Sequence, residues 1–286
     1  MRGAAIAVAA GLLCALSACS GASSPERAET TMTSTPTATP SAPEQARTLT
    51  YVALGDSLTA GYQRASGDDK GGAYPGLLTA LLATDGIPMT VQNLSCTGET
   101  TTELVEGGRC DPSPSQLARA EAILIRDTGK VGLVTLFIGA NDVLGCVSTS
   151  GVDEPCLARA HGAYSANLAL ILRRLRVAAG PDVPIVVLTY YNPFRVTVAG
   201  RPVPPGLASA SAKGTEQLNA AIRSAAQGVG ATILDTRPIL EGSDGSALCT
   251  STSVCSTGDF HLNAASNAAL AGALRDVAAP LLPVAR

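Results

Sequence analysis

Hydrophobic and polar positions along the chain fall into three regimes. Residues 4–16 are an apolar run, 20–47 hold almost no large apolar side chain, and from 48 onward short apolar runs alternate with amphipathic ones. In the third regime, residues 49–54 and 89–94 read as strands, and the continuously apolar 133–138 reads as a strand covered on both faces. Residues 184–189 and 232–234 supply a fourth and a fifth strand. Helices are predicted at 74–84, 115–127, 161–179, 208–227 and 264–279. Arg173, Arg174 and Arg176 sit near the C-terminal end of the 161–179 stretch, where cations suit the helix dipole. Strand–helix alternation of this kind implies an α/β fold with a parallel sheet between helices. One domain over 48–286 is the simplest organisation.

The first two regimes read as an address and a spacer. Arg2 followed by the run at 4–16 has the form of an export signal, too short to span a bilayer as a mature helix. It ends in Leu16-Ser17-Ala18-Cys19, which resembles a bacterial lipobox. The lipobox reading removes 1–18 and leaves Cys19 as a lipidated first residue. The alternative is an ordinary signal peptide cut nearby, and mass spectrometry of the mature N-terminus separates the two. Residues 19–47, rich in Ser, Thr, Pro, Ala and Glu, cannot bury enough surface to offset their ordering entropy, so they read as a disordered spacer. The expected location is outside the cytoplasm, anchored to the cell membrane.

Composition narrows the function classes. Lys and Arg total 20 against 23 Asp and Glu, with no basic cluster, so nothing favours nucleic acid as a partner. Aromatic residues are 3% and Trp is absent, which argues against a base-stacking surface or an aromatic sugar platform. Neither Gly-x-x-x-x-Gly-Lys nor Gly-x-Gly-x-x-Gly occurs, so a nucleotide cofactor has no support. The two histidines, His161 and His261, lack a carboxylate partner at metal spacing, and no metal or other cofactor is expected. A monomer is the expected state.

With Cys14 in the leader and Cys19 at the lipobox, six cysteines remain: Cys96, Cys110, Cys146, Cys156, Cys249 and Cys255. Six allow 15 pairings. Their grouping into three close couples favours 96–110, 146–156 and 249–255, in an oxidising compartment. A metal site is disfavoured because no Cys-x-x-Cys pair is present.

In a parallel α/β sheet, chemistry gathers in the loops after the C-terminal ends of strands. Four such loops carry unusual residues. Gly55-Asp56-Ser57-Leu58 follows the first strand and puts a hydroxyl where backbone N–H groups can stabilise developing negative charge, although Asp56 or Ser57 could equally cap a helix. Gly98 lies in the Asn93–Thr100 loop and could present its N–H to a ligand, or serve only a turn. Gly139-Ala140-Asn141-Asp142 supplies an amide donor of the sort used for oxyanions, or an Asx turn. Asp259-Phe260-His261-Leu262-Asn263 precedes the last helix.

These four blocks, in this order over residues 48–284, resemble the conserved blocks of the GDSL/SGNH hydrolases. The resemblance implies a three-layer α/β/α, flavodoxin-like fold and ester hydrolysis through an acyl-serine. Carried onto this sequence, Ser57 is the nucleophile and His261 the general base. The backbone N–H groups of Ser57 and Gly98 and the Asn141 side chain form the oxyanion hole. The chain departs from the family at the acid: the pattern Asp-x-x-His would put a carboxylate at position 258, which is Gly258. Either Asp259 orients the imidazole, or a backbone carbonyl near Thr257 or Gly258 does; Asp235 reads as structural.

Asp56 and Asp142 are read as loop braces. His161 is read as a surface or capping residue, and Lys213, Glu216 and Asn219 as a solvated helix face. The loop 190–206, with Tyr191, Phe194, Pro202, Pro204 and Pro205, is the expected wall of an acyl pocket. The leading function is hydrolysis of lipid or small acyl esters. A cell-envelope carbohydrate O-deacetylase or acyltransferase would use the same residues, and a binding protein that lost activity would not need all four blocks.

Overall fold

Strand β1 (Leu49–Gly55) turns from half-buried to fully buried along its length, and every residue of β3 (Val131–Phe137) is buried. Apolar side chains on both faces of a strand require helices on both sides of the sheet. The computed structural model, which describes residues 47–110, 113–148 and 151–282, provides them. Beside β1 and β3 lie β2 (Met89–Asn93), β4 (Ile185–Leu188) and β5 (Thr232–Leu234), all parallel, in the order β2-β1-β3-β4-β5. One polar pair crosses the central strands, Tyr51 Oη with Thr135 Oγ1 at 2.8 Å.

Among the described residues, the helices that surround the sheet or line its upper edge include α1 (Ser57–Ala60), α2 (Tyr74–Thr84), α3 (Thr101–Glu106), α4 (Gln116–Arg126), α5 (Ala140–Leu144), α6 (Glu154–Ala179), α7 (Pro205–Gln227) and α8 (Ala264–Ala278). Helix α2 packs against α8, while α4, α6 and α7 pack in succession. The buried positions of α6 (Leu157, Tyr164, Leu168, Ile171, Leu172, Leu175) recur at helical spacing and form its core stripe. Arg176 near its end donates to the carbonyls of Gly180 (2.9 Å) and Val183 (2.7 Å), satisfying acceptors beyond the helix. The chain leaves β1 toward β2 on one side and β3 lies on the other, so the sheet has its switch point between β1 and β3.

Predicted and observed strands agree to within a residue or two, and the helices at 74–84, 115–127 and 264–279 do likewise. Helix α6 starts seven residues earlier than expected, at Glu154 instead of 161. There Asp153 accepts from the Cys156 N–H at 2.9 Å and Pro155 occupies the first turn. Helix α7 begins at Pro205, not 208, for the same proline reason. His161 accordingly lies within a helix and caps nothing; its Nε2 is buried without a partner among the described residues. Lys213 and Glu216 are exposed as expected, but Asn219 is fully buried. Its side chain accepts from the Tyr190 N–H (2.7 Å) and donates to the Tyr190 carbonyl (2.8 Å), pinning the chain just after β4.

All three expected disulfides are formed: Cys96–Cys110, Cys146–Cys156 and Cys249–Cys255. They suit an extracellular, oxidising environment. Among the described residues no helix is long and apolar enough to cross a membrane. The expected leader, Cys19 and all but the last residue of the spacer lie outside the described residues.

Candidate active site

The four blocks meet at the C-terminal edge of the sheet. Asp56, one residue past β1, caps α1 by accepting from the Leu58 N–H at 3.0 Å, and Ser57 becomes the first helical residue. Asp56 is also bonded by the Tyr190 hydroxyl at 2.6 Å, which ties the end of β1 to the end of β4. Burial pushes the Asp56 carboxyl up to about 6, with the Tyr190 and Leu58 hydrogen bonds pulling the other way.

Ser57 Oγ lies 3.0 Å from His261 Nε2. On the opposite edge of the ring, Nδ1 is 2.6 Å from Asp259 Oδ1. That same oxygen accepts the His261 backbone N–H at 3.1 Å, an Asx-type turn in which an Asp side chain bonds the N–H two residues on. A two-residue spacing therefore reaches the imidazole without a longer loop. Gly258 takes φ +74 as it closes the helical turn Val254–Thr257, a left-handed conformation that disfavours aspartate less than most residues but glycine least. Of the two orienting groups left open by the sequence, the carboxylate of Asp259 is the one in contact with Nδ1.

Burial raises the Asp259 carboxyl, but the His261 backbone and ring and the Arg64 guanidinium (3.5 Å) outweigh it and hold the group below its ordinary value. It is therefore a carboxylate when the imidazole carries a proton. Tyr62 packs on the His261 ring with centroids 4.7 Å apart, and Tyr191 donates its hydroxyl to the Phe260 carbonyl. The strand Asp259–Leu262 that carries the histidine pairs with Thr252–Ser253, and the Cys249–Cys255 disulfide ties the same small substructure.

Gly98 comes from the loop after β2, and Asn141 from the first turn of α5, just after β3. Asn141 Nδ2 donates one hydrogen to the Glu99 carbonyl at 2.9 Å, which fixes the amide; its second hydrogen has no partner among the described residues. Asp142 braces the two loops by accepting from the Thr101 N–H at 2.9 Å, and its burial raises its carboxyl despite the Thr101 bonds. Gly139, at φ +135, could not be another residue without disruption. A Cβ there would stand 2.2 Å from the Tyr164 ring. Asp235 is elsewhere, holding Thr189 (2.9 Å) and Arg237 (2.7 Å).

Several supporting residues carry no motif. Gln116, fully buried at the start of α4, accepts from the Gly55 N–H (2.7 Å) and donates to both the Gly55 carbonyl (3.1 Å) and Glu99 Oε2 (2.8 Å). It locks the strand before Ser57 to the loop after Gly98. The only sequence signal for it is a polar residue directly after the Ser115 cap, which any helix start shows.

Ser57, Gly98, Asn141 and His261 all line one cavity of about 350 Å3. Tyr191 and Phe194 of the expected wall border it. Pro202, Pro204 and Pro205 do not, since Pro205 has been taken into α7.

No curated protein matches the sequence. Solved structures do. An extracellular lipase from Streptomyces rimosus is 21% identical with a TM-score of 0.56, over 80% of this chain and 99% of that one. A phospholipase A1 from Streptomyces albidoflavus is 23% identical with a TM-score of 0.54, over 79% and 98%. A carbohydrate acetylesterase family member from Sinorhizobium meliloti is 18% identical with a TM-score of 0.51, over 82% and 99%. At these identities they establish a shared fold. Residues 53–269 match the model of the GDSL-like lipase/acylhydrolase family, which spans most of the chain and all four blocks, and the protein belongs to that family.

Proposed function

We propose that the protein is a serine carboxylic-ester hydrolase in which Ser57 forms the acyl-enzyme. The observation behind this reading is the continuous chain from Asp259 through His261 to Ser57 Oγ, with links of 2.6 and 3.0 Å, opening onto the cavity that Gly98 and Asn141 also line. Ser57 Oγ attacks the acyl carbonyl as its proton passes to His261 Nε2. The negative charge that develops on the carbonyl oxygen is taken up by the Ser57 and Gly98 N–H groups and the free amide hydrogen of Asn141. Collapse breaks the bond to the leaving alcohol, which receives the proton from His261. Water repeats the sequence on the acyl-serine and releases the acid. Asp259 stays ionised throughout, holding the Nδ1–H tautomer and stabilising the imidazolium.

An O-deacetylase or acyltransferase of carbohydrate would employ the same steps with a sugar hydroxyl as the leaving or accepting group. The extended apolar lining of the cavity, with Leu157, Leu218 and Phe194 among its residues, favours an ester with an aliphatic acyl group. Hydrolysis of p-nitrophenyl esters by wild type and Ser57→Ala tests the reading. The serine variant is expected to lose at least ~10³-fold in kcat with its melting temperature retained. Wild-type protein without serine-dependent hydrolysis of any ester would overturn it.

A further inference from the structure

Helix α7 meets the cavity with a glycine. Gly214 is buried, lies in the interior of a 23-residue helix and has ordinary helical backbone angles, so neither a turn nor a left-handed conformation calls for it. Packing does not call for it either. A Cβ at this position would meet no heavy atom closer than His161 Nε2, at 4.0 Å. Glycine in a helix interior is unfavourable relative to almost any other residue. What its missing side chain does leave is room in the cavity that Gly214 lines, whose apolar lining also includes Leu218 one turn along α7, Leu157 of α6, Val152 and Leu144. Val152 belongs to the short hairpin Val147–Ser148/Gly151–Val152, held to the start of α6 by Cys146–Cys156, and α7 packs on that hairpin. Two helices and a disulfide-fixed hairpin thus contribute to the apolar part of the lining.

We propose that Gly214 is the residue that sets acyl-chain specificity: the space beside it receives the methylene tail of a linear aliphatic acyl group, while the carbonyl sits at Ser57. This rests on the hydrolase reading above. Its distinctive consequence is that substitution at 214 discriminates by chain length, whereas damage at Ser57 or His261 lowers turnover on every ester alike.

The test compares wild type, Gly214→Ala and Gly214→Leu on p-nitrophenyl acetate, butyrate and octanoate. Wild type is expected to favour octanoate. Gly214→Leu is expected to lose at least tenfold in kcat/KM on octanoate, mainly through KM, while acetate stays within twofold; Gly214→Ala, adding one methyl, falls between. Both changes raise helix propensity, so thermal melting should not fall. An equal loss on acetate and octanoate, or no loss on octanoate, overturns the proposal. A second readout is independent of hydrolysis. Sodium octanoate is titrated calorimetrically into Ser57→Ala and into Ser57→Ala/Gly214→Leu. Binding to the first and at least tenfold weaker binding to the second supports the pocket even if the hydrolase reading fails. Equal binding to both, or to neither, removes the pocket while leaving serine-dependent hydrolysis to stand on its own result.

Discussion

Ser57 and His261 touch at 3.0 Å, but they arrive there from unlike surroundings. Ser57 leaves a strand whose last five residues are buried and enters a helix capped by a carboxylate that is itself 1% exposed. His261 stands on the four-residue strand Asp259–Leu262, which among the described residues pairs only with Thr252–Ser253 and is closed off by a disulfide. Ser57, the proposed nucleophile, therefore inherits the stability of the sheet, while His261, the proposed base, inherits that of a small peripheral substructure. Local opening free energies track buried apolar contact, so the histidine corner should open well before the serine corner does.

The largest effect that separates the two corners is expected from Asp259→Asn. The change keeps an oxygen to accept the His261 backbone N–H but removes the charge that holds the Nδ1–H tautomer and stabilises the imidazolium. A fall of ~10²–10⁴ in kcat is expected, with KM and melting temperature little changed, because the residue lies outside the core. Steady-state kinetics on one ester decide it. A loss of only a few-fold would assign the orienting role to a main-chain carbonyl and make Asp259 a bystander.

Sequence carried the serine corner further than the histidine corner, for physical reasons. Strands β1 and β3 are long and continuously apolar, so pattern alone located them, and Ser57, Gly98 and Asn141 each follow a sheet strand within a few residues. His261 was legible as a residue type near the end of the chain. Its orienting group was legible only as a choice between Asp259 and a backbone carbonyl, because whether the Asp259 side chain turns back on His261 is a property of backbone angles, not of spacing. Gln116, Tyr190 and Asn219 were invisible for a different reason. Gln116 meets Gly55 across 61 positions, and Asn219 meets Tyr190 across 29, so their roles exist only once the sheet is assembled. Asn219 looked solvated because its neighbours Lys213 and Glu216 are. The short helices and hairpins above the sheet lack the length that periodicity needs.

The serine corner has its own signature in the dependence of stability on pH. Asp56 has an ordinary value of 3.8 and is held at about 6 by burial. Between about pH 4 and 6 the unfolded chain has given up this proton and the folded one has not, so stability falls as pH rises through that window. The contribution is fully present below about pH 4 and gone above about pH 6, a change on the order of 3 kcal/mol for this group. Asp142, also raised by burial, shifts in the same direction, so the readout is the difference between wild type and Asp56→Asn. The variant should show a flatter denaturation midpoint from pH 4 to 6.5, and parallel curves would exclude Asp56 as the source. No such window is expected at the histidine corner, where Asp259 is shifted downward.

The smallest effect in free energy bears most directly on the contrast between the corners. The Cys249–Cys255 bridge closes a separation of 6 residues, for which the chain-entropy model gives about 2 kcal/mol. If that bridge mainly restrains the substructure bearing His261, then replacing both cysteines by Ala should be felt locally before it is felt globally. Amide exchange is expected to speed up across 252–262 while the amides of Leu49–Gly55 keep their protection, and kcat should fall by a similar factor on acetate and octanoate because the base, not the acyl pocket, has been loosened. The Cys146–Cys156 pair, which fixes a cavity wall, should behave in the opposite way and alter chain-length preference more than turnover on acetate. Uniform acceleration of exchange in both corners would mean that the histidine strand opens only with the sheet, and the two foundations would then be one.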